Sequence, residues 1–360
     1  MFVALRDLRF ARGRFALMGA VIVLLTLLVG LLSGLTAGLG QQNVSAISDL
    51  PVDRIVFTAP AEGQDLSYSD STVTEGQWRH WANAPGVLLA EPLGITTTRA
   101  TAGTRTAAVS LFGVRTGSAV APDGDAVDDR SVALSTSAAD ELGVTTGDTV
   151  TLAGRDLTVT AVRGDASFSH IPVVWGSLAT WRHTAPPAAD GTAPVATVIA
   201  LKTTGDTAAT DATAGTRTVT KDDSLSAIGS YSSENGSLQL MRGFLFAISA
   251  LVIGAFFTVW TIQRSGDIAV LKALGASTGI LLRDALGQAL VLLIGGTLTG
   301  TALAAAAGAL LAGSSVPFLL EPATVLVPAA TTILLGALGA ALAVRRVTTV
   351  DPLTALGSVR

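Results

Sequence analysis

The chain has no cysteine. Disulfides, thiolate nucleophiles and cysteine-held metals are therefore excluded. Lysine is nearly missing too. Lys202, Lys221 and Lys272 are the only three in 360 residues, and none follows a glycine. The chain thus carries no Gly-Lys-Ser/Thr phosphate loop, and any ATP it uses has to be bound by another subunit. The three histidines, His80, His170 and His183, are scattered and form no spaced Ser/His/Asp set, so no catalytic residue is assigned. Charge is scarce as well: 14% of residues, against about 25% in soluble globular chains.

What is present is apolar. Hydrophobic residues make up 49% of the chain and mean hydropathy is +0.56. Four stretches are long enough to cross a bilayer: Phe15 to Leu39, Gly243 to Ile262, Ala285 to Ala312 and Ala323 to Val344. Each offers about 20 or more residues, enough for ~30 Å of hydrocarbon at ~1.5 Å per residue. The first is longer than the 7 to 15 apolar residues of a typical signal peptide, so it reads as a retained anchor. Few polar residues interrupt these spans, which argues against a proton relay or ion path.

Positive charges near the ends of the spans set the orientation. Arg6, Arg9, Arg12 and Arg14 precede the first span, Arg264, Lys272 and Arg283 lie between the second and third, and Arg345, Arg346 and Arg360 follow the fourth. The "GSSVPFLLEP" connection has no Lys or Arg and a single acid, Glu321. Both termini and the 263–284 loop are thus expected in the cytoplasm. The order is a cytoplasmic amphipathic segment (1–14), a first span (15–39), an outer domain (40–242), a second span (243–262), a cytoplasmic loop (263–284), a third span (285–312), an outer turn (313–322), a fourth span (323–344) and a cytoplasmic tail (345–360).

The region 41–240 holds 22 Asp/Glu against 12 Lys/Arg, which disfavours nucleic acid or anionic lipid as its partner. Alternating segments at 53–59, 147–152 and 155–165 predict strands, with a turn at Ala153-Gly154. "STSAADELGV" predicts a short helix capped by Ser135 or Ser137 and closed near Gly143, and "TEGQWRHWAN" another capped by Thr74. The stretches 184–194 and 203–216 are small, polar and helix-poor, and read as loops or flexible insertions. The predicted class is an integral membrane protein with four transmembrane α-helices and an α+β extracellular domain inserted between the first and second.

"RSGDIAVLKALGAS" (264–277) places three charges in nine residues of the 263–284 loop. As a helix it puts Ile268, Leu271 and Leu274 on one face, with Ser265 at its start and Gly275 at its end. Such an amphipathic helix can lie on the membrane or be gripped by a soluble protein.

Taken with four spans and a large outer domain after the first, this stretch resembles the FtsX/MacB-type ABC transporter permeases. "VALSTSAADELGVTTGDTVTL" and the closing "RRVTTVDPLTALGS", with its Pro352 to Leu356 element, are similar to that family too. The resemblance implies a permease subunit worked by mechanotransmission from a separate ABC ATPase in two copies, which carries ATP-Mg. It implies that Asp267, Ile268, Leu271, Lys272, Leu274 and Gly275 form the contact to that ATPase, and that the permease pairs with a second copy of itself in the membrane lipid. Gly30, Gly34 and Gly38 repeat every four residues in the first span, as small residues do at close helix contacts, and are the expected dimer stripe. Gly296 and Gly300 continue through Ala304 and Gly308 in the third.

The first forty residues are most similar to the haem-efflux permeases of Gram-positive actinobacteria, which implies haem as the transported ligand. Haem needs an apolar slot, an axial donor and a cation for its propionates. No histidine lies near a span in sequence. The expected donors at the outer rim are therefore Tyr231, Glu234 and Met241, with Arg242 for a propionate, and Gln41, Gln42 and Asn43 across the gap. Two alternatives share this layout: export of a peptide, antibiotic or lipid-linked molecule, and a non-transporting transmitter that signals to a cell-wall hydrolase.

Overall fold

The computed structural model describes residues 12–122, 124, 127–185, 194–263, 266, 270, 274–275, 277–311 and 316–348. The chain divides into two compact units, Leu39–Gly236 and the segments on either side of it.

The membrane unit holds most of four long helices: α1 (Arg12–Ser48), α7 (Gly229–Gln263), α8 (Thr278–Leu311) and α9 (Pro322–Thr348). Each contains a stretch apolar enough to cross a membrane. Met18 and Ile22 of α1, Ile253, Phe257 and Trp260 of α7, Ala289 and Leu293 of α8 and Ala340 of α9 form one buried cluster. Gly254 and Gly339 let α7 and α9 approach closely: a Cβ added to Gly339 would lie 3.3 Å from Gly254 Cα. Without a hydrophobic drive between helices in lipid, such packing is what holds them together. Leu24, Leu251, Leu298 and Leu334, all exposed, present the apolar outer surface that lipid requires.

Two helices run beyond their apolar stretches. The first span is expected to end at Leu39, yet α1 continues to Ser48; the second is expected from Gly243, yet α7 starts at Gly229. Gly236, inside α7, costs that helix about 1 kcal/mol. Burial outweighs that cost: Ala46 and Ile47 of α1 are buried in the outer unit's core, and Tyr231 of α7 packs against the same cluster. "GSYSSENGS" is therefore helical.

Among the described residues the outer unit is built on ten strands, β1 (Arg54–Thr58), β2 (Val87–Ala102), β3 (Arg105–Val114), β4 (Ser131–Leu134), β5 (Thr149–Leu152), β6 (Arg155–Val162), β7 (Ser167–Phe168), β8 (Ile171–Ser177), β9 (Val198–Thr203) and β10 (Thr216–Thr220). The helices between them are α2 (Glu75–Ala82), α3 (Thr136–Leu142), α4 (Leu178–Arg182), α5 (Ala208–Ala214) and α6 (Lys221–Ser224). The strand order is β10-β1-β9-β2-β3-β8-β4-β6-β5, and β5 pairs back onto β2. Six strands, β2, β3, β8, β4, β6 and β5, thus close a ring around Val109, Leu111, Val132, Val150, Leu157 and Val174. The remaining four-strand sheet shares β2. β2 is long enough to serve both. Val87 to Leu93 pair with β9, Gly94 to Ala102 with β3. Gly94 and Gly113 face each other at the change of partner, and the space that their missing side chains leave is filled by Trp181.

The expected strands at 53–59, 147–152 and 155–165 correspond to β1, β5 and β6, and Ala153 and Gly154 both have positive φ, at 53° and 74°. Ser135 caps α3, its Oγ accepting from Ala138 N, and Gly143 ends it at φ 66°. Thr74 and Gln77 form a reciprocal cap on α2.

One reading is corrected in part: within 203–216 only 204–207 is loop. The alanines that follow form α5, which ends at Gly215 with φ 62°. The Asp211 carboxylate then accepts from Thr216 Oγ1, Thr218 N and Thr218 Oγ1, tying the helix to β10. Of the 184–194 stretch, residues 186–193 lie outside the described residues.

Candidate functional site

β7 and β8 form a hairpin whose last pair is Phe168 with Ile171, leaving Ser169 and His170 as a two-residue turn. Both have positive φ, 55° and 64°. That mirror-image turn suits the twist of a hairpin but favours Asn and Gly, and a residue with a Cβ pays about 1 kcal/mol or more for the left-handed region. Such strain persists where neighbouring contacts hold it.

The contacts come from the ends of two long helices. On α1, the Asn43 carbonyl accepts from Ser169 N at 2.9 Å and the Gln42 carbonyl from His170 N at 3.1 Å. Ser45 Oγ accepts from Ser167 N at 2.8 Å. On α7, Ser230 Oγ lies 2.8 Å from Ser169 Oγ and donates to Asn43 Oδ1 at 2.6 Å. Glu234 Oε2 lies 2.8 Å from His170 Nε2 and accepts from Asn43 Nδ2 at 3.4 Å. Asn43 Nδ2 also lies 3.0 Å from His170 Nε2.

The ring nitrogen is contested. Glu234 as a carboxylate needs Nε2 to donate; the Asn43 amide, whose oxygen is taken by Ser230, needs it to accept. A ring nitrogen offers one such site and cannot serve both. Asn43 is buried, whereas His170 and Glu234 are partly exposed. The cluster therefore offers an imidazole nitrogen, a carboxylate and hydroxyls at a partly open place.

Sequence reasoning named Asn43, Gln42 and Glu234 but missed His170. It stands 127 residues from Asn43 in the chain, and only the packing of the β7–β8 turn onto the end of α1 brings the two together. The left-handed pair 169–170 carries no glycine that would have marked a tight turn. Tyr231 is half-buried against the outer core rather than in solvent, and Gln41 is exposed. Met241 and Arg242 lie further along α7 in the membrane unit, Met241 exposed and Arg242 partly so.

In the membrane unit the glycine stripe is filled by its own chain. A Cβ on Gly30 would lie 2.8 Å from Ala304 Cβ, one on Gly34 2.3 Å from the Phe318 ring, and one on Gly38 2.1 Å from the Pro317 carbonyl. The close contact expected between copies is thus made inside one chain, because the segment before α9 folds back onto α1. Leu319 N donates to the Gly34 carbonyl there at 3.1 Å. The cavity beside it, bordered by Thr26, Ala304, Phe318 and Pro328, holds about 10 Å³, one water rather than a porphyrin.

Of the expected ATPase contact, Asp267, Ile268, Leu271 and Lys272 lie outside the described residues. Leu274 N donates to the Val270 carbonyl at 3.0 Å, a helical bond, and both side chains are exposed. Gly275 follows with φ 92°, in the left-handed region that ends helices.

Two family profiles match. The MacB-like periplasmic core domain covers residues 15–219, and the FtsX-like permease C-terminal covers 240–352. The chain belongs to the FtsX/MacB-type ABC transporter permeases. The permease is 32% identical over 146 residues to the "Putative hemin transport system permease protein HrtB" of Staphylococcus epidermidis, a match covering 40% of this chain and 41% of that one. The chain thus spans about two fifths of the length of that curated relative. It is 25% identical over 373 residues to an uncharacterized ABC transporter permease of Mycobacterium tuberculosis, with 99% of each covered. The crystal structure of the periplasmic region of MacB from Actinobacillus actinomycetemcomitans is similar at 15% identity and a TM-score of 0.34, covering 50% of this chain and 94% of that one. This permease is thus a membrane protein whose extracellular domain follows its first helix.

Proposed function

We propose that this permease exports haem, driven by a separate ATPase, and that the haem iron is taken at the rim formed by His170, Glu234, Tyr231 and Asn43. The observation that carries the reading is His170 Nε2, held 2.8 Å from Glu234 where two long helices end. An imidazole is a common axial donor to haem iron, and the phenol of Tyr231 is a second oxygen donor close by in sequence. The name of the staphylococcal relatives, hemin transport system permease proteins, supports the choice of ligand. Met241 and Arg242, further along α7, are the proposed thioether and propionate contacts.

Energy enters from the cytoplasm in this reading. Two ATPase subunits act on two permease copies through Asp267, Ile268, Leu271, Lys272, Leu274 and Gly275, with both termini on the same side. The outer domain then moves with the ends of α1 and α7, which are built into its core.

The test is a Soret band. Purified full-length permease in lipid nanodiscs, titrated with haemin, should give a shifted band. His170→Ala should weaken binding at least tenfold, and Tyr231→Ala and Met241→Ala should each shift the band or lower affinity. No band with the unaltered protein would remove haem as the ligand.

A further inference from the structure

The hairpin is held by its two helices in different ways. Toward α1 it uses backbone: Ser169 N and His170 N donate to the Asn43 and Gln42 carbonyls, and Ser167 N donates to Ser45 Oγ. Toward α7, among the described residues, its bonds run between side chains: Ser169 with Ser230, and His170 with Glu234. Asn43 adds two more to α7, through Ser230 and Glu234. Backbone bonds fix the hairpin to α1 whatever the side chains do. Side-chain bonds let it part from α7 when one group changes partner.

His170 is the group placed to change. Its Nε2 is already contested between Asn43 and Glu234, and a ligand that takes the lone pair of that nitrogen ends the Glu234 contact. The turn carrying it is strained, with two residues in the left-handed region and no glycine. Once Glu234 lets go, that strain favours movement of the turn rather than its present form.

We infer that the Ser169–His170 turn is a latch between the β7–β8 hairpin and the first turns of α7, closed by the His170–Glu234 contact and opened when a ligand binds His170 Nε2. The ligand class is a metal centre with a free axial position, so the inference rests on reading this rim as the haem site. Closed, the latch joins Glu234 of α7 to the turn; open, it leaves Ser169–Ser230 as the remaining side-chain bond between the hairpin and α7.

The absence of native cysteine makes the latch testable. Ser169 and Ser230 hydroxyl oxygens lie 2.8 Å apart, so Ser169→Cys with Ser230→Cys places two thiols within disulfide reach in an otherwise thiol-free chain. In full-length permease, haemin should slow crosslinking at least fivefold. The oxidised protein should bind haemin at least tenfold more weakly than the reduced one, with recovery on reduction. Glu234→Ala added to the pair should slow crosslinking at least fivefold without any haemin. Equal haemin binding by oxidised and reduced protein would overturn the latch and leave the haem site standing. No Soret band in any form would sink the haem site instead. The Glu234→Ala comparison, which needs no haem, then decides: an unchanged crosslinking rate overturns the latch, and a slowed one upholds the Glu234 closure.

Discussion

Arg115 grips both carboxylate oxygens of Glu91, Nη2 at 2.9 Å and Nε at 3.1 Å, while Ser118 Oγ donates to the same carboxylate at 3.1 Å. Glu91 is buried, only 6% exposed, and the guanidinium lies 5.4 Å from the centroid of the Trp78 ring. Removing one partner of such a pair strands the other in the core. Arg115→Met should lower outer-domain stability by about 2 kcal/mol, below the range for fully buried pairs because Arg115 is half exposed. Arg115→Met with Glu91→Met should recover most of the loss. Thermal unfolding of the three variants checks both statements; a double variant no better than the single one would mean that packing, not charge, sets the cost.

Gly38 is expected to tolerate no side chain. Its added Cβ would meet the Pro317 carbonyl at 2.1 Å, and a backbone group yields less readily than a side-chain tip. Gly38→Ala should destabilise the membrane unit by about 1–3 kcal/mol. Gly40, two residues on in the same helix, has nothing within 4 Å of that position. Gly40→Ala should be neutral or stabilise by up to about 1 kcal/mol through helix propensity. Detergent-resistance temperatures of the two variants should move in opposite senses or, at the least, differ clearly.

Alkaline pH should weaken the outer domain through Tyr68. Burial raises its phenol well above the ordinary value, and the hydrogen bond to Ser224 Oγ opposes that only in part. The folded state keeps the proton that the unfolded chain releases near pH 10. Stability from this group is therefore full below about pH 10 and falls as pH rises further. Tyr68→Phe should flatten that part of the alkaline unfolding curve while costing about 1 kcal/mol at neutral pH for the lost bond. An unchanged slope above pH 10 would assign alkaline sensitivity elsewhere.

Leu274 is 79% exposed, so Leu274→Asp should leave folding intact. On the proposed ATPase contact it should cut ATP-driven export at least tenfold, and Lys272→Glu should do the same. Export into vesicles and ATP hydrolysis, measured on the assembled complex, separate uncoupling from misfolding. Normal export by both variants would place the contact outside this loop.

The four spans, the caps of α2 and α3, and the strands β1, β5 and β6 could be read from local pattern. Thr74, Ser135 and Gly143 act on residues within one turn of themselves, so their roles survive folding unchanged. Three features were less legible. Residues 208–214 are small and polar in company, and their helix is held by tertiary contacts: the Asp211 bonds to β10, the Gln77 bond to the Ala214 carbonyl and the His80–Thr213 contact. The glycine stripe advertised a close contact without naming its partner, which turned out to be Pro317 and Phe318 of the same chain. His170 joined Asn43 and Glu234 through packing of the β7–β8 turn onto the helix ends, across more than sixty residues on either side, which no local spacing encodes.

One consequence of β2 concerns stiffness. Gly94 sits where that strand passes from one sheet to the other, the natural place for the two halves of the outer domain to fold about each other. The indole of Trp181 is wedged against it, and a strand stayed on one face by a rigid ring cannot crease there. The two halves consequently resist creasing at Gly94 and keep one fixed angle to each other.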